Sequence, residues 1–281
     1  MPEDVPVPAG TDIDHANAQF WNELCGTGLA RHLGITDHSP DSLTRFDDFY
    51  LHLYPYLLGH VPVGTMRGKR VLEIGLGYGT LGQKIAESGA DYVGLDIAEG
   101  PVRMMNDRLR MQGLAGRAAQ GNMLACALPD ESVDCVVSIG CFHHTGNAQR
   151  CIDESWRVLR PGGCAYIMVY NQFSYRQWAR WPVATWRALL RDYGLGKNGD
   201  HANDDQRKAY DADAAGRSAP ETEFFSRRRL RTMFGRFRSA SFQKENCEPI
   251  VGRGKIVAER ETLLPYLGRW WGLDIYVRAL K

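Results

Sequence analysis

The run Val71-Leu72-Glu73-Ile74-Gly75-Leu76-Gly77-Tyr78-Gly79 constrains the fold more than any other stretch of this chain. An apolar segment ends in three glycines at alternate positions, and a helix-compatible segment, Thr80 to Ser88, follows. This is a strand that stops at a loop too crowded for side chains. Glycine tolerates positive φ there and lets a ligand lie against the backbone. The helix behind the loop offers unpaired N–H groups. Such a loop could serve NAD, FAD, another nucleotide or no ligand. The next apolar run, Asp91-Tyr92-Val93-Gly94-Leu95-Asp96, narrows the choice. It ends in a carboxylate about 20 residues after the glycines, where nucleotide-binding α/β folds place the acid that holds two ribose hydroxyls. The spacing is G-x-G-x-G, not the dinucleotide G-x-G-x-x-G, and Glu73 puts an acid where a pyrophosphate would have to lie. Like charges meeting in a partly desolvated site repel. A ligand with a ribose, a cationic tail and no phosphate fits better.

Strand and helix patterns then alternate. Strands are expected at 70–75, 91–96, 117–120, 133–139 and 164–170, with helices at 79–88, 100–112 and 147–159. Two more strands, near 238–245 and 273–279, complete a seven-stranded, mostly parallel sheet with helices on both faces, an α/β fold of Rossmann-like form. Its ligands belong at the C-terminal ends of the strands. Residues 1–61 read as a tail (1–14) and an aromatic helical cap, with a helix start near Ser42–Arg45, and 62–171 as the core. Residues 172–223 are an insertion after strand 5, expected to act as a lid, with a mobile polar loop at 197–220. Residues 224–281 hold a C-terminal helix, its periodicity running over 221–237, and the final strands. The interval Asn246–Arg269 makes an unusually long hairpin.

Composition excludes several classes. Net charge is +1, from 34 basic and 33 acidic residues, so no basic field points to nucleic acid. No run of 18 apolar residues suggests a membrane span, and the first 14 residues lack a signal-peptide layout. Seven cysteines, an odd number without a C-x-x-C, point to a reduced, cytoplasmic chain. A zinc site would need Cys141, His143, His144 and Cys151 to converge from loose spacing, so no metal is expected. The sequence assigns no oligomeric state.

Further motifs follow in order: Gly121-Asn122-Met123, Leu128-Pro129-Asp130-Glu131-Ser132-Val133-Asp134-Cys135-Val136-Val137-Ser138, His143-His144, and Arg157-Val158-Leu159-Arg160-Pro161-Gly162-Gly163. Together with the glycine loop and Asp96 they resemble class I S-adenosylmethionine (SAM) methyltransferases. The subgroup containing the ubiquinone and menaquinone biosynthesis methyltransferases is the nearest in look. The resemblance spans roughly residues 68–171 and implies SAM as cofactor. It places Glu73 toward the positive end of the cofactor, Gly75, Gly77 and Gly79 along its methionine and ribose portions, and Asp96 on the ribose. Ile97 would cover the adenine, with the Asn122 side chain and the Met123 N–H on its edge. Ser138 and Gly140 would lie nearest the methyl group.

His143 and His144 are candidates for acid–base catalysis, with a structural or cofactor-shell part in the site the favoured alternative. Trp21, Tyr50, Tyr54, Tyr170, Asn171 and Tyr175 are candidates for contact with the acceptor. The expected activity is transfer of a methyl group to an O or N nucleophile of a small-molecule acceptor. The alternatives are a methyltransferase acting on RNA, protein or a modified peptide, and a non-catalytic SAM-binding protein. The Asp/Asn-Pro-Pro-Tyr/Phe loop of many macromolecular enzymes is replaced by Ser138-Ile139-Gly140-Cys141. The basic cluster Arg227-Arg228-Arg229 with Arg231 reads as a solvated helix face or as a contact for an anionic acceptor.

Overall fold

Apolar runs alternating with amphipathic helices favour a parallel sheet covered on both faces. The computed structural model, which describes residues 12–23, 27–195, 202–252 and 255–281, has this form. Strands β1 (Arg70–Ile74), β2 (Asp91–Asp96), β3 (Arg117–Gln120), β4 (Val133–Ile139) and β5 (Leu159–Tyr170) run parallel. The chain returns through β6 (Ser239–Glu245), a separate small hairpin of β7 (Ile250–Gly252) and β8 (Lys255–Ala258), and β9 (Asp274–Leu280). β9 inserts antiparallel between β5 and β6, giving the order β3-β2-β1-β4-β5-β9-β6. The seven-stranded, mostly parallel sheet is therefore as expected. Strand order reverses between β1 and β4, which opens a crevice at their C-terminal ends.

Strand periodicity sorts the core into two layers. Leu72, Ile74, Val136, Ile167 and Val277 pack with Cys151, Ile152 and Val158 of α7 (Ala148–Val158). On the opposite face, Val71, Tyr92, Val137, Tyr166 and Tyr276 pack with Leu81 and Ile85 of α5 (Thr80–Glu87) and Met105 and Leu109 of α6 (Glu99–Met111).

The N-terminal region forms α1 (Asp12–Trp21), α2 (Thr27–His32), α3 (Pro40–Leu53) and α4 (Leu57–His60). Residues 12–14, expected in the tail, belong to α1, and Asp14 is buried; residues 1–11 and Cys25 lie outside the described residues. α3 starts earlier than the Ser42–Arg45 expectation, because Ser39 caps it by accepting the Ser42 N–H and Pro40 suits its first turn. After β5 come α8 (Tyr175–Arg180), α9 (Pro182–Asp192) and α10 (Asp204–Lys208). α10 lies in the stretch expected to be a mobile loop; 196–201 are outside the described residues. Asn203 and Gln206, which read as loop residues, form its capping box. The helix expected over 221–237 is confined to α11 (Arg227–Met233), while Phe225 bridges to Asn171 in extended form. Among the described residues, no helix is long and apolar enough to cross a membrane.

Candidate active site

A cavity of about 370 Å³ opens at the C-terminal ends of β1, β4 and β5, where Ile74, Ile139 and Met168 reach its wall. That volume suits a small ligand. At one end lies the glycine loop. Gly75 and Gly79 sit at φ +79° and +83°. A β-carbon on Gly75 would lie 2.6 Å from Cys141 Cβ, and one on Gly79 2.8 Å from Arg108 Cδ. Both positions therefore need glycine for space as well as for φ. Gly77 lines the cavity between them.

Asp96 closes the end of β2. Its Oδ2 accepts the Leu76 N–H at 2.8 Å and its Oδ1 accepts the Ala98 N–H at 2.9 Å. Each oxygen retains a lone pair, enough for two hydroxyl donors. Burial pushes its pKa up to about 6 against the pull of these N–H groups, so it is largely ionised at neutral pH. Ile97, Met123 and Gly140 line the cavity. Asn122 does too, but its oxygen also accepts the Leu124 N–H at 2.9 Å, capping the turn Met123–Ala125. One lone pair remains there for a ligand N–H.

Glu73 departs from its expected electrostatic part. It is 3% exposed, and its Oε2 accepts the Tyr92 hydroxyl at 2.5 Å. Burial raises its pKa to about 8, so it carries a proton at neutral pH. Ionic repulsion by Glu73 is therefore not what disfavours a phosphate. The rest of the wall does so: Asp14, Asp96, Asp211 and Asp274 line the cavity, with no Lys or Arg among the described residues.

At the other end stand His144 and a set of aromatic rings. Trp21, Tyr50, Tyr54 and Tyr170, the candidates for acceptor contact, line the cavity. His144 sits 4.7 Å from the Trp21 ring, and Asn17 of α1 donates to its carbonyl at 2.7 Å. His144 Nδ1 lies 2.7 Å from the Glu221 carbonyl. A carbonyl only accepts, so Nδ1 carries a hydrogen. Nε2 then faces Asp211 Oδ2 at 3.4 Å, an ion-pair distance without hydrogen-bond alignment. Asp211 Oδ2 also accepts the Tyr170 hydroxyl at 2.8 Å.

Four expected site residues do not reach the cavity. His143 is fully buried, packed 3.9 Å from the Tyr170 ring and 4.2 Å from that of His144, with neither ring nitrogen hydrogen-bonded. Burial drives its pKa well below the usual histidine range, so it stays neutral. Ser138 is fully buried inside β4. Asn171 donates to the Gly272 carbonyl at 2.7 Å and accepts the Phe173 N–H at 3.1 Å, which fixes the β5–α8 corner. The Tyr175 hydroxyl accepts the Glu248 N–H at 2.9 Å. Ser138, His143 and Asn171 each adjoin a cavity residue in sequence, but their side chains lie on the other side of the backbone; Tyr175 instead opens α8. Of the four residues considered for zinc, the two histidines instead draw together with Asp211, their ligand-type atoms within 4.8 Å of one another.

Sequence reasoning missed Tyr210, Asp211, Asn246, Asp274 and Tyr276, all in the cavity wall. Asp274 and Tyr276 had a signal. An antiparallel final strand must begin where the parallel strands end, and Asp274 begins β9 opposite Tyr170. Tyr210 and Asp211 had none, since their surroundings have loop composition.

Residues 72–167 match the profile of the family described as methyltransferase domain. Residues 72–167 are thus similar to the methyltransferase domains of the class I SAM-dependent family. The resemblance seen in the motifs is thereby borne out, and SAM is the cofactor that such a domain takes. The chain is 30% identical over 130 residues to the demethylmenaquinone methyltransferase of Tropheryma whipplei (strain Twist), covering 46% of this chain and 51% of that one. It is 32% identical over 116 residues to the ubiquinone/menaquinone biosynthesis C-methyltransferase of Yersinia enterocolitica, covering 39% and 45%. The chain thus spans about half the length of the curated relatives it matches. A methyltransferase structure from Mesorhizobium loti shares the fold at a TM-score of 0.54 and 20% identity, covering 81% of this chain and 97% of that one.

Proposed function

We propose that this chain transfers a methyl group from SAM to an oxygen or nitrogen nucleophile of a small-molecule acceptor. The observation that carries this reading is one cavity with two chemically distinct ends. The glycine loop and Asp96 stand at one end, His144, Asp211 and Tyr170 at the other, and Gly140 at the tip of β4 lies on the same wall. The cofactor fits the first end, which offers hydroxyl acceptors, close backbone approach and, among the described residues, no phosphate-binding cation.

Bound SAM supplies a methyl group on a sulfonium with a good leaving group. The protein's part is alignment and exclusion of water. Asp96 receives the ribose hydroxyls, and the glycine loop holds the methionine portion. Ile97 covers the adenine, and Asn122 and Met123 read its edge. His144 acts as a positioning residue: both of its nitrogens already face protein groups, Glu221 on one side and Asp211 on the other. The described parts of the cap (12–23 and 27–61) and of the insertion (172–195 and 202–223) form the cover, and their aromatic walls suit a small molecule better than RNA or protein. The chain works in the cytoplasm.

The polar groups at the acceptor end favour a heteroatom. The names of the relatives, which act as C-methyltransferases or on demethylmenaquinone, support a carbon nucleophile as the second reading. Turnover with methyl-labelled SAM against fractionated metabolite pools, followed by carbon NMR of the product, separates O-, N- and C-methyl groups by chemical shift. Labelling of RNA or protein in place of any small molecule would overturn the proposal.

A further inference from the structure

We infer that the acceptor half of the cavity is built for a cationic, amine-bearing molecule; the inference rests on the methyltransferase reading above. Asp211 and Asp274 stand beside Tyr170 at this end, away from the cofactor acids Glu73 and Asp96. Asp211 holds the Tyr170 hydroxyl at 2.8 Å. Asp274, 2% exposed, accepts the Asn246 side-chain N–H at 2.9 Å. Around them the wall presents Tyr50, Tyr54, Tyr210 and Tyr276. The Tyr50 and Tyr54 rings are 4.9 Å apart, and the Tyr210 ring lies 4.7 Å from that of Tyr170.

No cation enters this wall among the described residues. The nearby guanidinium groups are held behind it. Arg176 lies over the Tyr210 ring at 4.4 Å and pairs with Glu248 at 2.7 Å. Arg260 donates to the Cys247 carbonyl at 2.8 Å and to the Asn246 side-chain oxygen at 3.0 Å. The His144 ring 3.4 Å from Asp211, and Arg176 and Arg260 behind Asp274, offset these acids only in part, and burial of Asp274 penalises its charged form. An anionic acceptor would add to that penalty, and a neutral one would leave it unrelieved. An ammonium relieves it, and tyrosine faces attract the same charge through their ring quadrupoles. Carboxylates together with several tyrosine faces form the arrangement that selects an ammonium over an isosteric neutral group.

The test uses the full chain loaded with S-adenosylhomocysteine and three probes of nearly equal shape: choline, 3,3-dimethylbutanol and 3,3-dimethylbutyrate. Calorimetric binding of S-adenosylhomocysteine is measured first, and its absence would sink the methyltransferase reading itself. Given that binding, choline should bind roughly tenfold more tightly than the alcohol, and the butyrate should not bind. Asp211→Asn and Asp274→Asn should each weaken choline binding several-fold while keeping S-adenosylhomocysteine affinity, which shows that the variants fold. Failure of choline to bind the loaded protein, equal binding of the alcohol or the butyrate, or choline binding unmoved by both substitutions would each overturn the inference.

Discussion

Asp47 and Arg108 form a two-pronged ion pair, with Nη1 to Oδ2 at 2.8 Å and Nη2 to Oδ1 at 2.9 Å, and it joins the helical cap to the core beneath the glycine loop. Arg108 is fully buried. Thr80 at the start of α5 donates to Asp47 Oδ1 at 2.6 Å, and Arg108 also reaches Gln83 at 2.7 Å. One carboxylate thus ties α3 to both α5 and α6. The close pass of Arg108 beneath Gly79 links this pair to the shape of the ligand loop.

Removing one partner strands a buried charge. Asp47→Ala should cost about 3–5 kcal/mol of stability and weaken SAM binding, because α5 carries the glycine loop. Urea denaturation measures the first effect and calorimetry the second. A midpoint equal to that of the parent chain would contradict this role.

Glu73 gives a prediction in pH. Its pKa is raised from 4.5 to about 8 by burial. The protonated form is the one the fold favours, so its contribution is fully present below pH 4.5 and is lost as pH rises through 8. Glu73→Gln mimics the protonated acid. It should raise the melting temperature at pH 8.5 by about 2–6 °C and change it little at pH 5. A variant that melts lower at pH 8.5 than the parent would contradict the assignment.

The two histidines should separate. The His143 ring has no hydrogen-bond partner among the described residues, so His143→Phe should leave stability and SAM affinity nearly unchanged. His144→Gln should mainly raise the acceptor KM, with turnover lowered less than about tenfold and the pH profile near neutrality flat. Loss of about a hundredfold or more in turnover at unchanged SAM affinity would mark His144 as a general base.

The covering role of the cap and insertion can be read by hydrogen exchange. Amides of α1, α3 and residues 202–223 should slow when cofactor and acceptor are both bound. No gain in protection over these segments would reduce them to scaffold.

The sheet was legible in the sequence because strand and helix periodicities alternate cleanly, and β2 and β4 match the expected 91–96 and 133–139. The cofactor end was legible for a related reason: its residues sit at strand ends, where local pattern fixes position. The acceptor end was not. Asp211 reaches the cavity from a segment of loop-like composition, and its partners His144 and Tyr170 lie 67 and 41 residues away. Ser138 and His143 were misplaced because neighbouring side chains on a strand or tight turn face opposite ways. The Asp47–Arg108 pair joins two helices 61 residues apart, a contact that neither helix encodes alone.

The account stands or falls on the link between Asp96 and the cofactor. Calorimetry of the parent chain and of Asp96→Ala with SAM and with NAD tests it most directly. The parent should bind SAM and show no appreciable affinity for NAD. The substitution removes acceptors for both ribose hydroxyls and should lower SAM affinity roughly ten- to a hundredfold, about 1.5–3 kcal/mol. Unchanged SAM affinity in the variant, or tighter binding of NAD than of SAM by the parent, would contradict it.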